Sequence, residues 1–149
     1  MFVLVLLLTA PFRGFLLYQS NWTWLPAACL FALGLWLYKN GSANFGLKQL
    51  QGTPEVSGNG AEQRLVTAGI RSHVRHPIYL AHLCEMLAWS VGTGLAVCYA
   101  LTIWGVITGA FMIYCEDVEL EKRFGEPYRE YRASVPAVIP RLTGGPSRM

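Results

Sequence analysis

Arg75-His76-Pro77-Ile78-Tyr79 is the stretch on which the reading of this chain turns. Two basic side chains and a proline stand at the entrance of an apolar block over residues 78–91. Another apolar block, residues 95–114, returns after Gly92-Thr93-Gly94 and is closed by Glu116-Asp117. Glycines in so short a connection read as a tight helical hairpin, which brings two clusters of opposite charge back to the same end. Charge at the end of an apolar segment faces water, lipid headgroups or a ligand. The layout is that of a site able to clamp a small polar molecule beside a bilayer.

Outward from the hairpin, two further apolar blocks precede it, over residues 2–18 and 24–38. Hydrophobic residues make up 53% of the 149-residue chain and charged residues 14%, roughly half the charged share of a soluble domain. Apolar residues gathered in blocks at that charge content predict an all-α integral membrane protein. It would have about four transmembrane helices and a short cytoplasmic C-terminal helical tail. The length suits one domain over residues 1–149, with N-terminal spans and a loop over 1–62 and a core region over 63–141. A span takes roughly 20 residues, so the first three blocks are short or tilted. Pro11 and Arg13 interrupt the first, and Trp22 and Trp24 sit where an interfacial aromatic belt is expected.

The basic residues set the orientation. Lys39, Lys48, Arg64, Arg71 and Arg75 lie in the middle loop, and Lys122, Arg123, Arg129, Arg132, Arg141 and Arg148 in the tail. The positive-inside rule places both regions, both termini and the charged site in the cytoplasm. Residues 52–60, rich in Gly, Pro, Ser and Asn, read as a flexible surface loop. In the tail, Leu120, Phe124, Tyr128 and Tyr131 recur at helical spacing and form an apolar stripe. Gly125 and Pro127 break that stripe into two short helices, which fold back over the cytoplasmic ends of the spans.

Several function classes fall away. A net charge of +3 without a basic run excludes a nucleic-acid partner. Cys29, Cys84, Cys98 and Cys115 form no CxxC pair and read as small buried hydrophobes, so no metal is expected. Asn21-Trp22-Thr23 fits a glycosylation acceptor by chance, so close to the membrane. Block 2–18 lacks a basic leader region and reads as retained. Pro26-Ala27-Ala28-Cys29 has the look of a lipoprotein cleavage site, but the polar stretch before it and the apolar run after it argue otherwise.

With these residues in place, the chain resembles the isoprenylcysteine carboxyl methyltransferase and phospholipid methyltransferase superfamily. One signature is Leu65-Val66-Thr67-Ala68-Gly69 leading to Val74-Arg75-His76-Pro77-Ile78-Tyr79. The other is Glu116-Asp117-Val118-Glu119-Leu120 leading to Phe124-Gly125-Glu126-Pro127-Tyr128-Arg129-Glu130-Tyr131, extended by Val135, Pro136 and Pro140. Together they cover residues 63–141, with an apolar hairpin between them. The resemblance implies an S-adenosylmethionine-dependent membrane methyltransferase without a Rossmann domain, its cofactor capped by the tail. A lipid-like or prenylated substrate would enter from the bilayer.

Carried over position by position, the resemblance makes Leu65, Val66, His76, Pro77, Ile78 and Tyr79 cofactor contacts and Glu116 the carboxylate for the nucleoside part. Gln63 stands where relatives contact the cofactor. The chemistry agrees. A carboxylate accepts hydrogen bonds from ribose or amino groups, and Arg75 can pair with a carboxylate of cofactor or substrate. Pro77 starts the helix and leaves nearby N–H groups to bind an anion.

The departures concern the substrate. Arg71 replaces a frequent Tyr, Glu116-Asp117 replaces a pair of Glu, and Met112 stands where prenylcysteine enzymes carry a substrate-holding Arg. His82 and Glu85 place polar groups inside the third block, where Glu85 is a candidate for substrate contact or proton acceptance. A prenylcysteine carboxylate is the substrate the overall resemblance favours, and an ethanolamine-type phospholipid is the alternative. From other classes stand a non-catalytic membrane protein and an NADPH-dependent reductase on the same scaffold.

Overall fold

The computed structural model of the protein describes residue 10, residues 14–42 and residues 65–140. Gln63, most of block 2–18, the loop over 52–60, and Lys48, Arg64, Arg141 and Arg148 lie outside the described residues. Among the described residues the regular structure is helical: α1 over Trp24–Ser42, α2 over Pro77–Thr93, α3 over Ala96–Phe124 and α4 over Glu126–Ser134. Short 3-10 turns at Asn21–Thr23 and Gly69–Ser72 lead toward α1 and α2. The first apolar block ends without a helix. Its residues 14–18 are not helical, and Leu16 forms an isolated antiparallel bridge with Leu95.

Each helix has local reasons to start and stop where it does. Ser20 caps the turn before α1, its hydroxyl accepting from the Trp22 amide at 3.3 Å, which satisfies an otherwise orphaned donor. Pro77 opens α2, where the missing N–H costs nothing and φ is already helical. α3 ends on Gly125, whose φ of 64° is left-handed and whose amide donates to the Glu121 carbonyl at 2.9 Å, a glycine C-cap. Pro127 then sits in the first turn of α4.

One expectation changes here. The first of the two tail helices is the end of α3 itself, because nothing between residues 114 and 120 breaks the helix. Gly125 alone makes the break.

α3, with 29 residues, is the helix among those described that is long and apolar enough to cross a membrane. Ile103, Trp104, Ile107 and Phe111 on it are all more than half exposed, an outward apolar face suited to lipid. α2 has 17 residues, or about 26 Å of helix against a hydrocarbon core of about 30 Å.

The chain gathers into two compact units, one of Met1–Trp36 with Ala81–Met112, the other of Leu37–Leu80 with Ile113–Met149. In the first unit, α1 and α2 approach closely through small residues, as helices in lipid do. A Cβ added to Gly34 would stand 3.0 Å from Glu85 Cγ and 3.1 Å from the Ala81 carbonyl, and one on Gly92 would meet the Trp24 ring at 2.9 Å. α2 and α3 are joined by a hydrogen bond of 2.9 Å between the buried hydroxyls of Ser90 and Thr102. At the turn of the hairpin the Tyr18 hydroxyl donates to the Val91 carbonyl at 3.0 Å and lies 2.6 Å from that of Tyr99.

Candidate functional site

The second unit collects both signatures. Its apolar part is made by Tyr128, Tyr131 and Val135, all buried, with Leu65, Leu120 and Phe124 packed against them. The stripe read from the sequence is therefore the underside of the tail. Leu65, expected at the cofactor, packs on this cluster, and Val66 is half-buried. Pro77 is fully buried, and Pro77 and Ile78 line the approach to Gly41, whose added Cβ would stand 3.1 Å from Pro77 Cγ and 3.5 Å from Ile78 Cγ1.

The polar part is one buried network. Arg75 points inward at 7% exposure. Its Nη2 donates to Asp117 Oδ2 at 2.7 Å, and its Nη1 donates to the carbonyls of Arg132 and Val135 at 2.8 and 2.9 Å. His76 Nε2 lies 2.8 Å from Asp117 Oδ1, which also accepts from the Tyr128 hydroxyl. On the other side of the ring, His76 Nδ1 stands 3.5 Å from Glu116 Oε2. The Tyr79 ring packs edge-on against the imidazole, with centroids 5.8 Å apart. Glu116 differs from its neighbours in keeping 45% of its side chain exposed, against 3% for His76 and 5% for Asp117.

Arg75, expected to orient cofactor or substrate, thus spends its planar fork on the protein itself. The backbone N–H groups ahead of the helix, expected to be open to an anion, are also engaged. The Arg75 amide donates to the Pro136 carbonyl and the His76 amide to the Ala137 carbonyl, both at 2.9 Å. The physical reason is that the tail returns as an extended segment after α4, and buried backbone groups pair with whatever backbone passes.

Asp117 was read only as half of the charge cluster, Tyr128 only as part of the apolar stripe and Arg132 only as a basic residue of the tail, yet Asp117 is the hub of the network. A phenol on an otherwise apolar stripe was the available signal for Tyr128, since buried tyrosines seek a partner for the hydroxyl.

The charges are tuned accordingly. The carboxylates follow the apolar stretch of α3, which ends at Cys115. Burial pushes Asp117 up, but the hydrogen bonds from Tyr128 and His76 and the Arg75 charge outweigh it and hold it below the usual carboxylate value. Glu116 is also held low, first by the hydrogen bond from His76, against its burial. The Tyr128 phenol is pushed up by burial and by its bond to Asp117.

The two lowered carboxylates contribute stability that is present above about pH 4 and is lost as pH falls through their folded values. The raised phenol contributes stability that is present below about pH 10 and is lost as pH rises beyond it. The thermal midpoint of the detergent-purified protein is therefore expected to plateau near neutrality and to fall on both sides. A midpoint that holds steady below about pH 4 would contradict the hub.

Glu85 belongs to the first unit. Its carboxylate lies 3.6 Å from His82 Nδ1, one turn away on α2. No group of metal-ligating side chains occurs among the described residues.

No family model matches the chain. Curated relatives do. A protein-S-isoprenylcysteine O-methyltransferase of Xenopus laevis is 34% identical over 85 residues, which is 54% of this chain and 28% of that protein. The human protein of the same name is 34% identical over 87 residues, again 54% of this chain and 28% of its own length. Protein-S-isoprenylcysteine O-methyltransferase A of Arabidopsis thaliana is 36% identical over 83 residues, 51% of this chain and 39% of its own. The match thus spans well under half the length of these relatives. Over the matched half, the chain is similar to curated proteins named protein-S-isoprenylcysteine O-methyltransferase.

Proposed function

We propose that this protein is an S-adenosylmethionine-dependent membrane methyltransferase acting on a lipid-like substrate, with the carboxylate of a prenylated cysteine as the first candidate. The relatives' names support the reaction class. The observation that carries the cofactor is Glu116: a half-open carboxylate held low, beside His76 and Asp117, which are buried and paired within the protein. That donor set fits. The ribose diol and amino groups of the cofactor are hydrogen-bond donors, and Glu116 is an acceptor only.

When bound, S-adenosylmethionine supplies an electrophilic methyl group on a sulfonium. The chain's part is to place and shield, because a direct displacement needs no covalent enzyme intermediate. Glu116 takes the nucleoside part, with His76 and Tyr79 beside it. Leu65, Val66, Pro77 and Ile78 supply apolar surface near the buried network. Arg75 acts by holding the loop and the tail together. Gln63 is a further proposed contact. Glu85 with His82 forms the proposed substrate-side pair, in keeping with the default role of an ionisable residue in a span.

The proposed topology has about four spans, with the termini and the site in the cytoplasm. The basic residues of the middle loop and tail support it.

Titration calorimetry of S-adenosylmethionine and its demethylated product into the detergent-purified protein tests this reading. The wild type is expected to bind at micromolar concentration. Glu116→Ala is expected to lose about one to two powers of ten in affinity, the value of charged hydrogen bonds at about 1.5–3 kcal/mol, while staying folded. A well-folded wild type that binds neither compound would remove the cofactor from the proposal.

A further inference from the structure

Asp117 follows Glu116 directly, so the two side chains leave α3 about 100° apart. One is presented outward, and the other is turned into the unit at 4% exposure. A buried carboxylate is tolerated only when its acceptor sites are filled. Here they are filled from two segments: by Arg75 and His76 of the loop before α2, and by Tyr128 of α4, with Arg132 Nε of the same helix at 3.7 Å.

A carboxylate is an acceptor only, so the ring nitrogen facing it must be the donor. Asp117 therefore holds a hydrogen on His76 Nε2, and with it the plane of the ring. That plane turns Nδ1 toward Glu116, at 3.5 Å from Oε2, where it can donate to the carboxylate when it too carries a hydrogen. The Tyr79 ring packs edge-on against the imidazole and supports the same orientation.

We propose that Asp117 is a positioning residue: gripped by Arg75 and Tyr128, it fixes the His76 ring through Nε2 and thereby aims the Glu116 carboxylate at its ligand. Asp117 itself touches no ligand. The tail supplies two of the carbonyls and the hydroxyl that hold this assembly, so its docking and the set of the Glu116 carboxylate are linked. The assignment rests on Glu116 as the ligand carboxylate. The test is built to separate the two ideas.

The full chain is labelled with 15N-histidine and its ring nitrogens are recorded in detergent micelles without ligand, with His76→Gln for assignment against His73 and His82. In the wild type His76 is expected to show a single fixed pattern with a hydrogen on Nε2. Asp117→Asn replaces an acceptor oxygen by a donor NH2 at the same volume. It is expected to release the ring into an averaged pattern and to weaken S-adenosylmethionine binding about tenfold, the loss of one charged hydrogen bond.

Glu121→Gln loosens α4 only at its surface pairs with Arg129 and Arg132, and is expected to leave the His76 pattern and the affinity as they are. Should the Asn variant not fold, Asp117→Glu, which keeps the charge and shifts it by one methylene, is read in the same way. A folded Asp117 variant with an unchanged His76 pattern overturns the proposal. A wild type that binds no S-adenosylmethionine overturns the cofactor reading alone, and the ring pattern still decides the role of Asp117.

Discussion

Arg75→Ala is expected to undock the tail and to cost about 3–5 kcal/mol, the usual penalty for breaking one side of a buried ion pair. The size follows from what is left behind. Asp117 would stay at 4% exposure without its close cation, with only Arg132 Nε left at 3.7 Å, and the carbonyls of Arg132 and Val135 would lose their donors. The backbone bonds of Arg75 and His76 to Pro136 and Ala137 would then hold the extended segment alone.

Arg75→Lys restores the charge but not the fork, and a single ammonium cannot serve a carboxylate and two carbonyls in those directions. It is expected to recover only part of the loss. Hydrogen exchange of the two amides reads the outcome directly. In the wild type they are expected to be protected to the limit of global unfolding, and in the Ala variant to exchange by local opening. Equal protection in both proteins would show that Arg75 does not hold the tail.

The second large effect belongs to Gly94, where α2 turns into α3. Its φ of 65° costs a residue with a Cβ about 1–2 kcal/mol. A Cβ there would also stand 2.3 Å from the Tyr18 carbonyl oxygen, a backbone atom that cannot rotate away. Relief requires the segment over residues 14–18 to shift, and with it go the bonds from the Leu17 amide to the Gly94 carbonyl at 2.9 Å and from the Ala96 amide to the Phe15 carbonyl at 3.0 Å. Gly94→Ala is thus expected to lose about 2–5 kcal/mol, strain and crowding together.

Gly125→Ala is a control without crowding. It has a similar φ, 64°, with ψ −134°, and nothing within 4 Å of the added Cβ, so its loss is conformational. Unfolding both variants in detergent should place Gly94→Ala well below Gly125→Ala. Equal losses would mean that the Tyr18 carbonyl gives way freely.

Much of this was legible in the residues themselves because it depends on local rules. Gly92-Thr93-Gly94 announced a turn, and a turn stands at Gly94. The spacing of Leu120, Phe124, Tyr128 and Tyr131 announced one buried stripe, and the four residues pack together. The i,i+3 spacing of His82 and Glu85 announced their contact. The clustering of Arg75-His76 with Glu116-Asp117 was readable as well, since charge at the two ends of an apolar hairpin must return to one place.

What the sequence left undecided was the direction each charged side chain takes. Arg75 and Glu116 look equally suited to a ligand when written in a row, yet one is buried and engaged while the other is half open. Spacing could not show it, because the partners that turn Arg75 inward come from the far end of the chain, the carbonyls of Arg132 and Val135. The same holds for Asp117, whose neighbours on α3 do not distinguish it from Glu116. The sequence by itself determined the helices after the first apolar block, the hairpin, the charge clusters and the family resemblance. Only the tertiary structure decided which carboxylate is hub and which is presented, because that choice is made where the returning tail fills the acceptors of one and leaves the other to solvent.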